Sequence, residues 1–187
     1  AEDGDGLVHT FYATALLSGL RAGECAALQW DDVSFERRLI TVTRSFDGPT
    51  KSGSTRHVPL SDDLASVLRA WRLRTPGRLV APNRADRMHP PSARIFQETL
   101  ARVLARAGFA AGYITFHGLR HTFASLWMAR GGDLFKLQRA LGHRSAEMTQ
   151  RYAHLAPSAF QGDHARLSGL IGGAADNVVP IGERHKA

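Results

Sequence analysis

A single cysteine, Cys25, stands in a chain of 187 residues, so an internal disulfide is excluded and a reducing compartment is expected. No run of about 18 apolar residues occurs, which excludes a helical membrane span. The opening AEDGDG is acidic and polar, unlike a signal peptide, and the expected location is the cytoplasm. Lysine is scarce: only Lys51, Lys136 and Lys186 appear among 24 basic residues, the other 24 − 3 = 21 being arginines. There is no GxSxG elbow for a nucleophilic serine and no HExxH zinc motif.

What is present is positive charge. The formal net charge is +7 and the sequence pI about 10.5, a balance that favours a polyanionic partner such as nucleic acid. Arginine forks onto phosphate in a bidentate way. A GC-rich coding bias explains the arginine-to-lysine ratio equally well, so the net charge, not the ratio, carries this inference. The length suits one domain with its own core.

Gly6–Leu20 has apolar residues at helical spacing (Val8, Phe11, Tyr12, Ala15, Leu16), with Gly19 loosening its end, and AGECAALQW forms a short helical piece ending near Trp30. Arg21 and Glu24 are three apart and share a face; taken alone they read as an exposed helix salt bridge worth under about 1 kcal/mol. From Asp31 to Pro59 the period turns strand-like, with Leu39–Thr43 and Thr55–Pro59 as strands and turn formers between them. The last hairpin carries Lys51 near its tip, where most lysines only aid solubility. Ser61 caps a helix with Leu64, Val67, Leu68 and Trp71 inward. After a Pro/Arg/Gly-rich loop, Ser92–Ala107 reads as an amphipathic helix with Ile95, Phe96, Leu100, Val103 and Leu104 inward. Phe116–Arg130 follows, with Phe123, Leu126 and Trp127 inside, then Asp133-capped Leu134–Leu141, a stop at Gly142, and a Ser145-capped piece bearing Met148 and Tyr152. Residues 158–170 are expected to add one further helix before a loose tail. The expected fold class is therefore α+β, mainly helical, with a small antiparallel sheet near residues 33–59.

The stretch from Phe116 to His154 gathers His117, Arg120, His121, His143 and Tyr152. A zinc site on His117 and His121 lacks a third ligand of the usual kind. Histidines and a tyrosine satisfied within a core are the favoured reading residue by residue. Phosphoryl chemistry uses the chain as a whole: two arginines hold the charge gathering on a phosphodiester without a metal, and histidine handles protons. A tyrosine of pKa about 10 needs positive neighbours to act as nucleophile.

The stretches SGLRAGECAALQWDDV, TKSGSTRHVPL, HGLRHTFAS, LGH and MTQRYAHL resemble, in order and spacing, the motifs of tyrosine site-specific recombinases, the phage integrase family. The resemblance spans roughly Gly6–Leu155. It implies that Arg21 and Arg120 bind the scissile phosphate, that Glu24 is the acidic partner of the first arginine, and that Lys51 protonates the leaving 5′-oxygen. His117 and His143 complete the site, and Tyr152 is the nucleophile that forms a 3′-phosphotyrosine. It further implies no cofactor, metal or ATP, double-stranded DNA as partner, and a monomer when free that forms a homotetramer when synapsed. Residues 1–157 would be the catalytic domain and residues 158–187 a C-terminal helix and tail docking in trans. Family members generally carry an N-terminal core-binding domain, and this chain begins where the catalytic domain would begin. Rival expectations are a type IB topoisomerase and a catalytically idle DNA-binding protein.

Overall fold

Seven helices and five short strands are formed by the described part of the chain, residues 2–46, 48–50, 53–110 and 112–157 of a computed structural model. Two units separate at Ala156/Pro157, and all of these helices and strands belong to the first. Lys51 and the helix expected over residues 158–170 lie outside the described residues.

Helix α1 (Glu2–Ser18) starts earlier than its apolar spacing indicates. It buries Leu7, Val8, Phe11 and Ala15 on one stripe and packs against α3 (Asp62–Arg72), α4 (Arg94–Arg106) and α5 (Phe116–Ala129). Phe11 stacks on Phe96 of α4 with ring centroids 3.8 Å apart. Burying side chains of this size stabilises the fold by about 1.5–3 kcal/mol each. The short α2 (Ala22–Ala26) follows at once.

Strands β1 (Val33–Ser34), β2 (Leu39–Val42) and β5 (Arg56–Pro59) make an antiparallel sheet in the order β1-β2-β5. Within the segment rich in turn formers, β3 (Arg44–Ser45) and β4 (Gly48–Pro49) pair as a separate two-stranded ladder. The period of two places Ile40, Val42, Val58 and Arg56 on the buried face. Arg56 thus occupies a core-facing strand position, opposite Val42. β5 packs on α6 (Leu134–Leu141).

Of the expected caps, Ser61 and Asp133 are in place, whereas α7 (Glu147–Gln150) begins after Ala146 and Ser145 only accepts from Glu147 N–H at 3.2 Å. Ser61 accepts from Leu64 N–H at 3.3 Å, and Asp133 accepts from Lys136 N–H at 2.7 Å. Thr115 caps α5 through Gly118 N–H at 3.1 Å. α7 ends before Tyr152, which leads into a single 3-10 turn, Ala153–Leu155.

Two helix faces differ from expectation. On α5 the buried side is Leu119, Arg120, Ala124 and Met128, whereas Leu126 is exposed and Phe123 and Trp127 are half-buried. The apolar stripe is wider than the surface packed on it, leaving those three along a groove with Leu16 and Leu17. On α4 only Phe96 and Leu104 are buried, and Val103 faces out. Among the described residues no helix is long and apolar enough to cross a membrane. The architecture is α+β and mainly helical, with its small antiparallel sheet where the β-branched residues place it.

Candidate active site

The site is organised by the C-terminal end of α6. A helix leaves its last carbonyls without intrahelical partners. Gly142 stops this helix in the left-handed conformation, at φ 66° and ψ 43°. Three consecutive carbonyls are then taken by three arginines from distant parts of the chain. Arg56 Nε donates to Ala140 O at 2.8 Å, Arg120 Nη2 to Leu141 O at 2.5 Å, and Arg21 Nη2 to Gly142 O at 3.4 Å. The helix dipole puts partial negative charge at this end, which favours cations there.

Arg120 is buried on α5, and its Nη1 also donates to Gly19 O at 2.6 Å. Gly19 ends α1 at φ 66°, and a Cβ there would come within 2.4 Å of the Phe123 ring, so the turn that presents this carbonyl requires glycine. Burial and the charge of Arg21 bring the Arg120 pKa down to about 10, leaving it a cation at neutral pH. Two of its five N–H donors are spent on carbonyls, and the rest remain for an anion.

Arg21 and Glu24 do pair, at 3.0 Å, but the expectation of an exposed bridge is corrected: the Glu24 side chain is 1% exposed. The reason is Arg56, a residue that no sequence motif singles out. Arg56 lays both terminal nitrogens on the Glu24 carboxylate, Nη1 at 2.9 Å and Nη2 at 2.6 Å. Arg21 adds its backbone N–H at 2.8 Å. Burial works against ionising Glu24, yet the Arg56 hydrogen bonds and charge, with those of Arg21, outweigh it and hold the carboxyl below its ordinary pKa. Removing one partner of such a buried pair costs about 3–5 kcal/mol, because the other charge is stranded. The alternation of β5, which puts residue 56 on the face of Val58, was the available signal.

His143 follows Gly142 directly. Its Nδ1 is 2.8 Å from the buried Thr149 hydroxyl, which leaves Nε2 for a substrate. Burial, then Arg120 and Arg21, depress its pKa to about 4, so the imidazole is neutral at physiological pH.

Tyr152 is 6% exposed, its ring packed with Ala124, Met128, Leu137 and Leu141 in the smaller of two apolar clusters. Its hydroxyl shares a hydrogen bond with His121 Nδ1. Burial raises the phenol pKa against the pull of Arg151 and Arg120, and burial with His117, Arg151 and Arg120 lowers that of His121, so both are neutral. His117 is exposed on the first turn of α5, four residues before His121, and their rings meet edge-on at 4.6 Å. Among the described residues no group of three or more His, Cys, Asp or Glu forms a metal site, so the His117–His121 pair gains no further ligand.

The structure therefore brings Arg21, Glu24, Arg120 and His143 together around one helix end, with the charge of Arg120 felt at Tyr152. His117 meets His121, which in turn bonds Tyr152. Arg56 and His121 join the set. Two guanidiniums and a neutral imidazole are thus gathered at this helix end, a set suited to an anionic group.

The model of the phage integrase family matches residues 8–159. Among curated proteins, the tyrosine recombinase XerC of Xanthomonas campestris pv. campestris (strain B100) is 35% identical over 152 residues, covering 80% of this chain and 43% of that protein. The integrase of Haemophilus phage HP1 is 38% identical over 109 residues, 58% of this chain and 28% of its own. The chain thus spans less than half the length of these relatives. Among solved structures, the catalytic domain of bacteriophage HP1 integrase aligns with a TM-score of 0.60 at 29% identity, over 92% of this chain and 95% of that one. XerH bound to its difH substrate, in a pre-cleavage complex, aligns with a TM-score of 0.67 at 22% identity, over 89% and 48%, a likeness of fold.

Proposed function

The chain belongs to the phage integrase family, and from that premise we propose that it cuts and rejoins double-stranded DNA at specific sites through a 3′-phosphotyrosine. The observation that carries this reading is the pairing of Arg21 and Arg120 with the adjacent carbonyls of Gly142 and Leu141, one step before His143. Two cations and an imidazole converge there from three separate segments, the constellation that a phosphodiester under attack requires. The +7 charge fits DNA as the partner.

In the proposed reaction the Tyr152 oxygen attacks the scissile phosphorus as the phenolic proton passes to an imidazole, His121 being the one already bonded to it. The P–O5′ bond breaks, and Lys51 gives its proton to the leaving 5′-oxygen. Arg21 and Arg120 hold the non-bridging oxygens, with His143 donating beside them. A 5′-hydroxyl from a partner strand then attacks the phosphotyrosine and releases Tyr152. The bond energy is kept in the ester, and guanidiniums supply the charge stabilisation, so neither ATP nor a metal is called for. Residues 1–157 are proposed as the catalytic domain and residues 158–187 as a tail that docks on a neighbour in a synapsed homotetramer.

The test is covalent capture. A library of duplexes with randomised arms, each nicked so that a short 5′-hydroxyl product diffuses away, is incubated with the chain in excess EDTA. A denaturant-stable protein–DNA adduct is expected, and the captured duplexes define a substrate. Transfer of the held strand to a second duplex separates recombination from simple relaxation. No adduct with or without magnesium would overturn the reading, and an adduct only with magnesium would overturn its metal independence.

Lys51 has its own test. Lys51→Ala is expected to cleave the captured duplex about 10²–10⁴-fold more slowly, the usual range for general acid catalysis. A substrate with sulfur at the 5′-bridging position has a leaving group that needs no proton, and on it the variant is expected to approach wild type. Equal impairment on both substrates would remove Lys51 from the role.

A further inference from the structure

We infer that Arg56 is a positioning residue of the cleavage reaction, acting on the phosphate through Glu24 and Arg21 without touching DNA. This rests on the phosphoryl-transfer reading above.

Every donor nitrogen of the Arg56 side chain already has a partner. Nε is committed to Ala140 O, and Nη1 and Nη2 to the two oxygens of Glu24. Arg120 is just as buried but bonds only through Nη1 and Nη2, whereas Arg56 has all three nitrogens engaged, so no Arg56 nitrogen is left over for a DNA backbone. Arg21 differs: its side chain is 27% exposed and holds only Glu24 Oε1 and the longer bond to Gly142 O. One arginine is therefore built in and the other is left to meet the anion.

The link between them is the shared carboxylate. Glu24 Oε1 accepts from Nη1 of both arginines, while Oε2 accepts from Arg56 Nη2 and the Arg21 backbone. Where Arg56 places that carboxylate, Arg21 must follow. The same side chain also packs against the turn that carries His143, since a Cβ on Gly142 would approach Arg56 Cδ to 3.0 Å. Arg56 thus ties β5, α2 and the end of α6 into one frame around the phosphate position. An ångström of misplacement in such a frame costs about a hundredfold in rate.

Lysine keeps the charge of Arg56 but loses the fork onto Glu24. Arg56→Lys is therefore expected to slow cleavage of the captured duplex about ten- to a hundredfold, with DNA affinity within about twofold of wild type. Slower cleavage alone would also follow from a looser fold, so the deciding readout is stereochemical. Replacing one non-bridging oxygen of the scissile phosphate by a methyl group removes the charge that one guanidinium serves. The diastereomer on which the Arg21→Ala defect shrinks identifies the oxygen held by Arg21. The Arg56→Lys defect is expected to shrink on that isomer and to persist on the other. Should Arg56→Lys fail to fold, the neutral pair Glu24→Gln/Arg56→Gln, which strands no buried charge, carries the same comparison. Cleavage within twofold of wild type, or equal slowing on phosphate and both isomers, would overturn the inference. Absence of any wild-type adduct would instead overturn the underlying reading.

Discussion

Tyr152→Phe is expected to abolish the covalent protein–DNA adduct while leaving DNA affinity within about twofold of wild type. Only the hydroxyl is removed. The ring sits among Ala124, Met128, Leu137 and Leu141, contacts that phenylalanine keeps. The lost hydrogen bond runs to His121, a half-buried side chain that water can re-satisfy. A neutral–neutral bond of this kind contributes about 0.5–1.5 kcal/mol to stability, so the variant should remain folded. Gel-shift affinity together with adduct yield checks this. An adduct at wild-type yield would assign the nucleophile elsewhere.

Arg120→Ala is expected to slow cleavage by a hundredfold or more, the loss of roughly 3 kcal/mol that follows removal of one donor to transition-state charge. Binding should fall far less, because the non-bridging oxygens are most negative in the transition state. Arg120 also joins the end of α1 to the end of α6 through Gly19 O and Leu141 O. Leaving two buried carbonyls without a donor costs about 1–3 kcal/mol each in stability, so melting temperature must be measured beside rate. Arg120→Lys should restore part of the stability and little of the rate, since one ammonium cannot serve two carbonyls and a phosphate in a planar fork. A rate within twofold of wild type in the alanine variant would contradict the role.

Much of this architecture is legible in the residues. Helical spacing and caps such as Ser61 and Asp133 place the helices, and the β-branched run at Leu39–Thr43 places the sheet. Arg21, Glu24, Arg120 and His143 are named by motif and lie around the end of α6, while Tyr152 sits in the neighbouring apolar cluster. What local pattern could not give is which apolar side chains find a partner. Leu126 and Val103 continue their helix stripes but lie beyond the area their neighbours cover. Nor could spacing reveal that Glu24 is buried, because its burial depends on Arg56, 32 residues away. The period of two puts Arg56 on the face of Val58, but its bonds to Glu24 and Ala140 arise only once β5 packs against α6. The bond between His121 and Tyr152, 31 residues apart, is likewise a product of tertiary packing.

Central to the proposed mechanism is the bond between the Tyr152 oxygen and phosphorus. The most direct measurement is to digest the captured adduct with trypsin and nuclease and fragment the nucleotide-bearing peptide by mass spectrometry. Cleavage after Arg151 and Arg166 gives YAHLAPSAFQGDHAR. The nucleotide mass is expected on that peptide, with fragment ions that place it on Tyr152 through a 3′-phosphate. A nucleotide on any other residue, or a 5′-phosphate linkage, would contradict the mechanism.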